Sequence, residues 1–436
     1  MTLFTQSLVR VIAVCLFVGT ASSARAFQSD GSRGSRNVEL ISHLPLGGMK
    51  SASGSASAGF ESLGRNTGYV LLEQESGRPH AFVGTNGDEP GVLAINIADP
   101  SSPFLAGSWN ASYETGELIH FRHGSRYYLV VTQPAYGASI LEVGDPDEGQ
   151  FDPVLDIIIA GGLHHGFAYR HSNGRSYLFL TGGQDILVYD IDRLVTAKEA
   201  DPVASIQLPE EQAMIDYGYY SMKAQYEAES ESDRLYAAGA GGYYVLDVTD
   251  VQNPAPLASI NSAAIRIGHS ISATPDGSHV ITGTGYRTAP MRIFDLRPVF
   301  DGTISMARTA VGAWTADWES YVENHELRWP FVFTASLDQG LQVFNMMNPF
   351  EPYTVGYYRT WDGPKAGLSN DATDRTGAWD VDVRNLDGLI AVTDANTGLW
   401  LFQMEGFEGW DGRGWGFPNV SAVQNWDNGP TESSRW

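Results

Sequence analysis

Short apolar strands separated by Gly, Asp and Pro turns recur along the chain at nearly constant spacing. Seven segments end in a similar strand, and their anchor residues are 46, 48, 57, 48, 50 and 58 positions apart. The anchors are Asn96, Glu142, Asp190, Asp247, Asp295, Asn345 and Gln403. Each unit adds an apolar strand upstream, such as YYLVVT, and alternating strands downstream, such as FLAGSW. Four short strands in about 40–50 residues are typical of one blade of a β-propeller.

The two ends of the repeat predict how the ring closes. The last unit supplies three strands and then leaves the pattern, whereas Val38 to Leu46 reads as a fourth strand with no first three of its own. Pairing these pieces removes an open sheet edge. We therefore predict an all-β, seven-bladed β-propeller of four-stranded blades over residues 38–404, closed by an N-terminal strand that pairs with the last blade.

The first 26 residues follow a different pattern. Arg10 precedes an apolar run of nine residues, and Ala24 and Ala26 form a small-residue cleavage site. These features predict a signal peptide and a periplasmic or secreted protein; a buried N-terminal helix is the alternative. The run is too short to span a bilayer, so no transmembrane segment is expected. Cys15 lies within it and is the chain's one cysteine, so thiol chemistry is excluded from the processed chain.

The segments that flank the repeat are rich in small and polar residues. Residues 27–37 are predicted to be a flexible N-terminus. Residues 405–436 form a tail with four Trp residues among Gly, Asn, Asp and Pro. Two interpretations of this tail stay open, a partly ordered cap on one face of the ring and a disordered extension.

The repeat units resemble those of the LVIVD-repeat family of secreted bacterial β-propellers. The segments that carry the resemblance are YVLDVTDVQNP, LQVFNMMNPFEPYTVGYY, DGLIAVTDANTGLWLFQ, HSISATPDGSHVITGTG and ENHELRWPFVFTASLDQGL. The resemblance implies an exported propeller without an assigned reaction. It favours a protein that binds a ligand or a protein partner on its top face, and leaves open whether the chain is an enzyme.

The net negative charge of the chain limits the kinds of molecule that it can bind. There are 51 acidic and 27 basic residues, for a formal charge of −24. Cleavage after Ala26 would remove two arginines and no acid, which gives −26. A chain of this charge repels phosphate backbones, so nucleic acid is excluded as a partner. A small molecule, a glycan or a protein remains.

Three histidines lie at similar positions of their units, just ahead of the anchor strand pairs. His165, His269 and His325, with Asp380 from another unit, are expected to converge on the central channel. Imidazoles around an open position are the ligands of a catalytic divalent transition metal, which would be the cofactor of a metal-dependent enzyme. The alternative is that each histidine forms a structural hydrogen bond that the repeat copies from blade to blade.

A second candidate chemistry uses the same end of the channel without metal. Tyr220 or its neighbour Tyr219, with His165 or His269, and Arg266 form a polysaccharide lyase-like set, in which Tyr and His move protons and Arg neutralises a carboxylate. A weaker candidate is a Ca²⁺ loop at Asn370, Asp371 and Asp374, for which a solvated acidic turn is the alternative.

Export can be tested directly. Mass spectrometry of the protein recovered from the exported fraction is expected to find Phe27 as the N-terminal residue. An intact Met1, or protein retained in the cytoplasm, would contradict the signal-peptide prediction.

Overall fold

Seven antiparallel sheets of four strands each form a ring around one axis. The computed structural model describes residues 33–46, 65–160, 162–209, 218–261, 265–319, 321–362, 377–411 and 423–430. The predicted signal peptide and the predicted Ca²⁺ loop lie outside these residues. Among the described residues, no helix combines the length and the apolar character needed to cross a membrane.

Within each blade the strands follow chain order from the axis outward, except in the last blade. Blades 1 to 3 consist of β2 (Arg65–Leu72), β3 (His80–Gly87), β4 (Gly91–Asn96) and β5 (Phe104–Asn110); β6 (Leu118–His123), β7 (Arg126–Gln133), β8 (Gly137–Val143) and β9 (Phe151–Ile158); and β10 (Gly166–Arg170), β11 (Ser176–Gly182), β12 (Asp185–Asp190) and β13 (Ala204–Ile206). Blades 4 and 5 consist of β14 (Tyr219–Glu227), β15 (Ser232–Gly239), β16 (Gly242–Asp247) and β17 (Ala255–Ile260); and β18 (Gly268–Ala273), β19 (His279–Thr284), β20 (Met291–Asp295) and β21 (Gly312–Trp314). Blade 6 consists of β22 (Val322–Arg328), β23 (Phe331–Ser336), β24 (Gly340–Asn345) and β25 (Tyr353–Tyr358), and blade 7 of β26 (Ala378–Val383), β27 (Ile390–Asp394), β28 (Gly398–Met404) and the N-terminal β1 (Val38–Leu44).

The core lies between neighbouring blades. The second strand of blade 5, HVITGT, is buried at every position because other blades cover both of its faces. The outermost strand of blade 1, FLAGSWN, is partly exposed throughout. Between blades 1 and 7, Leu72 and Val83 pack with Leu399 and Leu401. Each interface thus depends on having the next blade in place.

Strand β1 completes blade 7. It pairs antiparallel with β28 from Val38 opposite Met404 to Leu44 opposite Leu399. Gly398 begins β28 with φ +100°, and a Cβ there would lie 2.4 Å from the Leu46 nitrogen, so the turn requires glycine. The predicted seven blades are confirmed, and the pairing is the one expected from the missing strand.

Other terminal segments also contact the ring. Gly34 forms a bridge with Tyr358 of β25, so residues 33–35 of the predicted flexible N-terminus lie against blade 6. In the tail, the Trp410 indole donates to the Trp329 carbonyl at 3.1 Å. Gln424 accepts from the Arg170 backbone N–H at 2.7 Å and donates to the Ala168 carbonyl at 2.6 Å. Both described tail segments therefore lie on the face where the innermost strands end.

Ring closure predicts a large effect of removing β1. Deleting residues 27–46 from the processed chain should lower the free energy of unfolding by several kcal/mol, because a ladder of hydrogen bonds and the burial of Val38 and Leu46 are lost. Deleting only residues 27–32 is the control and should leave the melting temperature near that of the processed chain. Equal melting temperatures for the two deletions would contradict closure by β1.

Candidate ligand site at the channel mouth

The innermost strands of all seven blades line a narrow channel along the axis. Its volume is about 60 Å³, enough for a few water molecules or one small chemical group. We call the end where these strands begin the channel mouth, and the end where they finish the channel base. The polar side chains lining the channel are Tyr69, Glu117, His165, Ser221, Lys223, Ser270, Asn324, His325, Glu326, Asp380 and Asp382.

A β-bulge at the mouth recurs in five of the seven innermost strands. In β14, β18, β22 and β26 one extra residue stands between two residues that pair with consecutive partners. The extra residues are Tyr220, His269, Glu323 and Trp379; in β2 the shift falls between Thr67 and Val70. A bulge changes the direction in which side chains point, so it gives the mouth a different lining from the rest of the strand.

A carboxylate, an imidazole and a phenol form a hydrogen-bonded chain at the mouth. Glu117 Oε2 lies 3.1 Å from His165 Nδ1 and accepts the Gly166 N–H at 2.8 Å. Because a carboxylate only accepts, Nδ1 donates to Glu117, and Nε2 lies within hydrogen-bond distance of the Tyr69 hydroxyl at 3.2 Å. Burial raises the pKa of Tyr69 well above its usual value, so the phenol keeps its proton at neutral pH.

Aromatic rings surround this chain. Tyr220 stands between two histidines, with its ring centroid 4.6 Å from that of His165 and 4.3 Å from that of His269. His269 is 4% exposed, and its Nδ1 is buried without a hydrogen-bond partner. Burial, reinforced by His165 and His325, lowers the pKa of His269 to about 3. The imidazole is therefore neutral at pH 7.

A second neutral histidine lies inside the channel. His325 Nδ1 is 3.0 Å from Ser270 Oγ, whereas Nε2 is buried without a partner. Burial lowers the pKa of His325 to about 4. Across the channel, Asp380 Oδ2 accepts the Val70 N–H at 2.9 Å, and burial raises the pKa of Asp380 well above its usual value. At pH 7 His325 is therefore uncharged, and burial favours the protonated form of Asp380.

The charged groups of the channel are paired toward its base. Lys223 contacts Glu326 at 2.9 Å, and the fully buried Arg328 contacts Glu326 at 2.7 Å and Asp382 at 3.5 Å. Burial alone raises the pKa of Glu326, but Lys223 and Arg328 bring it below its usual value. Burial and the neighbouring Glu326 raise the pKa of Asp382 to about 6. Two cations thus face two carboxylates, and the tail's Trp410 lies 5.9 Å from the Arg328 guanidinium.

The predicted metal ligands lie on four innermost strands or just before them. His165, His269 and His325 bond or pack with protein side chains, and Asp380 bonds the β2 backbone. In the described part of the chain, no group of three or more His, Cys, Asp or Glu is arranged to hold a metal ion. The metal site stays a prediction.

The predicted lyase-like set is only partly brought together. Tyr220 packs beside both histidines, but the tyrosine that hydrogen-bonds His165 is Tyr69. Arg266 is exposed, and its described contact is its backbone carbonyl, which accepts from Gly241.

Comparison with known proteins supports the fold and names no family. No family model matches the chain, and no curated protein matches it. Among solved structures, it is similar to the β-propeller domain of Cps50 (Swd1) from Myceliophteria thermophila, with a TM-score of 0.50 and 13% sequence identity. The match covers 78% of this chain and 99% of that domain. At this identity the similarity concerns architecture alone.

The neutral histidines predict a pH dependence of stability. Between pH 6.5 and about 3, the unfolded chain binds a proton at His269 that the folded chain does not, so this position destabilises the fold as the pH falls. The free energy of unfolding should therefore fall less steeply with decreasing pH in the His269→Gln variant, by up to about 1.4 kcal/mol per pH unit in this window. Urea unfolding of the unmodified and the variant protein at pH 4.5, 5.5 and 6.5 measures this pH dependence. Parallel profiles would show that His269 protonates in the folded state.

Proposed function

We propose that this protein is an exported binding propeller whose channel mouth takes a small, uncharged, hydroxylated ligand such as a neutral sugar. One observation carries the binding proposal. Two buried neutral imidazoles, His269 and His325, each have a nitrogen without a protein partner in or beside a channel whose charged groups near the base are paired. Export is supported by the N-terminal signal pattern, and the LVIVD-like repeat segments agree with it.

The hydrogen-bonding groups suit a hydroxyl. The neutral His325 can either donate or accept at Nε2, depending on its tautomer. A hydroxyl can form a hydrogen bond in either case, because it is both a donor and an acceptor. The two described hydrogen bonds of Glu117 fall on Oε2, so Oε1 can accept from a ligand. An anionic ligand would meet no unpaired cation among the lining residues, because Lys223 is bonded to Glu326.

The size of the channel limits what enters it. A volume of about 60 Å³ admits a hydroxymethyl arm and excludes a sugar ring. The ring of the ligand would then rest at the mouth, where the half-buried Tyr220 and Trp379 occupy bulge positions. Aromatic side chains offer the apolar surface, and the channel offers the polar contacts that orient the ligand.

A second candidate function is proton-transfer catalysis on the bound ligand. The observation that favours it is the chain from Glu117 through His165 to Tyr69. Glu117 orients the imidazole, His165 Nε2 is the base, and Tyr69 is an acid that His165 could reprotonate. Turnover of a bound probe would distinguish this function from binding alone.

Two sugars that differ in one group test the proposal. D-glucose carries a hydroxymethyl arm where D-glucuronic acid carries a carboxylate at neutral pH. Saturation-transfer NMR of the processed chain at pH 7 is expected to show contact with D-glucose, strongest at the exocyclic arm, and little with D-glucuronic acid. Preference for the acid would contradict an uncharged ligand.

Matched histidine variants locate the binding. His325→Leu removes the unpartnered nitrogen and should weaken D-glucose binding about tenfold or more. His123→Leu replaces a half-buried histidine on blade 2, away from the channel, and should leave binding unchanged. Equal binding by both variants would show that the channel is not the site.

A further inference from the structure

A second cavity lies at the opposite face of the ring, between the innermost strands of blades 1, 2 and 7 and the C-terminal tail. We call it the base cavity; its walls include Glu73, Glu75, His120, Arg122, Asn385 and Trp426, and its volume is about 360 Å³. It shares no lining residue with the channel. A ligand of the base cavity would therefore bind independently of the ligand at the channel mouth.

Two buried side chains in this cavity have hydrogen-bonding atoms without partners. His120 is 6% exposed, and neither of its ring nitrogens has a hydrogen-bond partner. Burial, with a contribution from Arg78, lowers the pKa of His120 to about 4, so at pH 7 it offers one donor and one acceptor. Trp426 is 9% exposed, and its Nε1–H is a buried donor without an acceptor. A bound group that both donates and accepts would satisfy these atoms.

The residues that line the cavity carry one net negative formal charge, because Glu73 and Glu75 stand against Arg122 alone. Arg78 contacts Glu73 at 3.3 Å, and Arg122 forms an ion pair with Asp427. The remaining carboxylate, Glu75, accepts from the Tyr127 hydroxyl at 2.6 Å, a bond that leaves its charge in place. A ligand with a single positive charge would balance the site.

The tail forms one wall of the cavity and is itself anchored. Gln424 bonds the backbone of β10 on both sides of Tyr169, and Asp427 pairs with Arg122. Removing the tail would therefore remove Trp426 and open the cavity.

We propose that the base cavity is a binding site for a small amino alcohol or a similar organic monocation. Its ammonium group would face the acidic wall and the acceptor nitrogen of His120. Its hydroxyl oxygen would accept from the Trp426 Nε1–H. A neutral diol lacks the charge, and a simple alkylamine lacks the acceptor, so each should bind less well.

Titration calorimetry of the processed chain at pH 7 with three probes tests this site. Saturable binding is expected for ethanolamine, binding at least about fivefold weaker for ethylamine, and none for ethylene glycol. Equal binding of ethylene glycol and ethanolamine would overturn the proposal, as would the absence of saturable ethanolamine binding.

Variants assign the binding to the cavity. His120→Leu and a chain ending at residue 411 should each weaken ethanolamine binding at least about tenfold. Glu75→Gln leaves the buried histidine untouched and should weaken it at least about fivefold. Glu142→Gln, which removes a half-buried carboxylate paired with Arg126 on blade 2, is the charge-matched control and should bind like the unmodified chain. Unchanged binding by Glu75→Gln, or loss of binding in His325→Leu, would overturn the assignment.

Discussion

The antiparallel pairing of β1 with β28 is the interaction on which the rest of the structure depends. Every blade buries its faces against two neighbours, so a ring with a missing outer strand would leave blade 7 with an unpaired edge. Without closure, the interface between blades 7 and 1 that contains Leu72 and Leu401 would lose its support. The same closure holds Asp380 against the Val70 N–H of blade 1 and Asp382 against the Leu72 N–H, and so completes the channel wall.

Convergence of seven strands on one axis buries polar groups away from water. Two arrangements in the channel reduce the free-energy cost of this burial. Toward its base, Lys223, Arg328, Glu326 and Asp382 compensate each other as ion pairs. Toward its mouth, burial favours the uncharged forms of His269, His325 and Asp380, and the Glu117 carboxylate is hydrogen-bonded to His165 and the Gly166 N–H. A charge-compensated base below a hydrogen-bonding mouth without a cation among its described lining residues is suited to an uncharged polar ligand. The base cavity differs, because its formal charges do not cancel.

Much of the fold could be predicted from the sequence, because a repeat states the same strand pattern seven times. The missing strand after Gln403 also pointed to closure. The site was harder to predict. The bulges that set Tyr220, His269 and Trp379 at the mouth depend on cross-strand register, which apolar periodicity does not specify. Glu117 and Tyr69 become partners of His165 only because three blades meet at the axis. The sequence feature that could have indicated the channel is the presence of charged residues within otherwise apolar innermost strands, at Lys223, Glu326 and Asp382.

The central claim is that His269 and His325 are neutral hydrogen-bonding imidazoles at pH 7. Long-range ¹H–¹⁵N correlation spectra of the histidine rings at pH 7 test it most directly. The structure predicts that His269 and His325 each carry one protonated nitrogen down to about pH 4. A doubly protonated ring at either position at pH 7 would contradict the account.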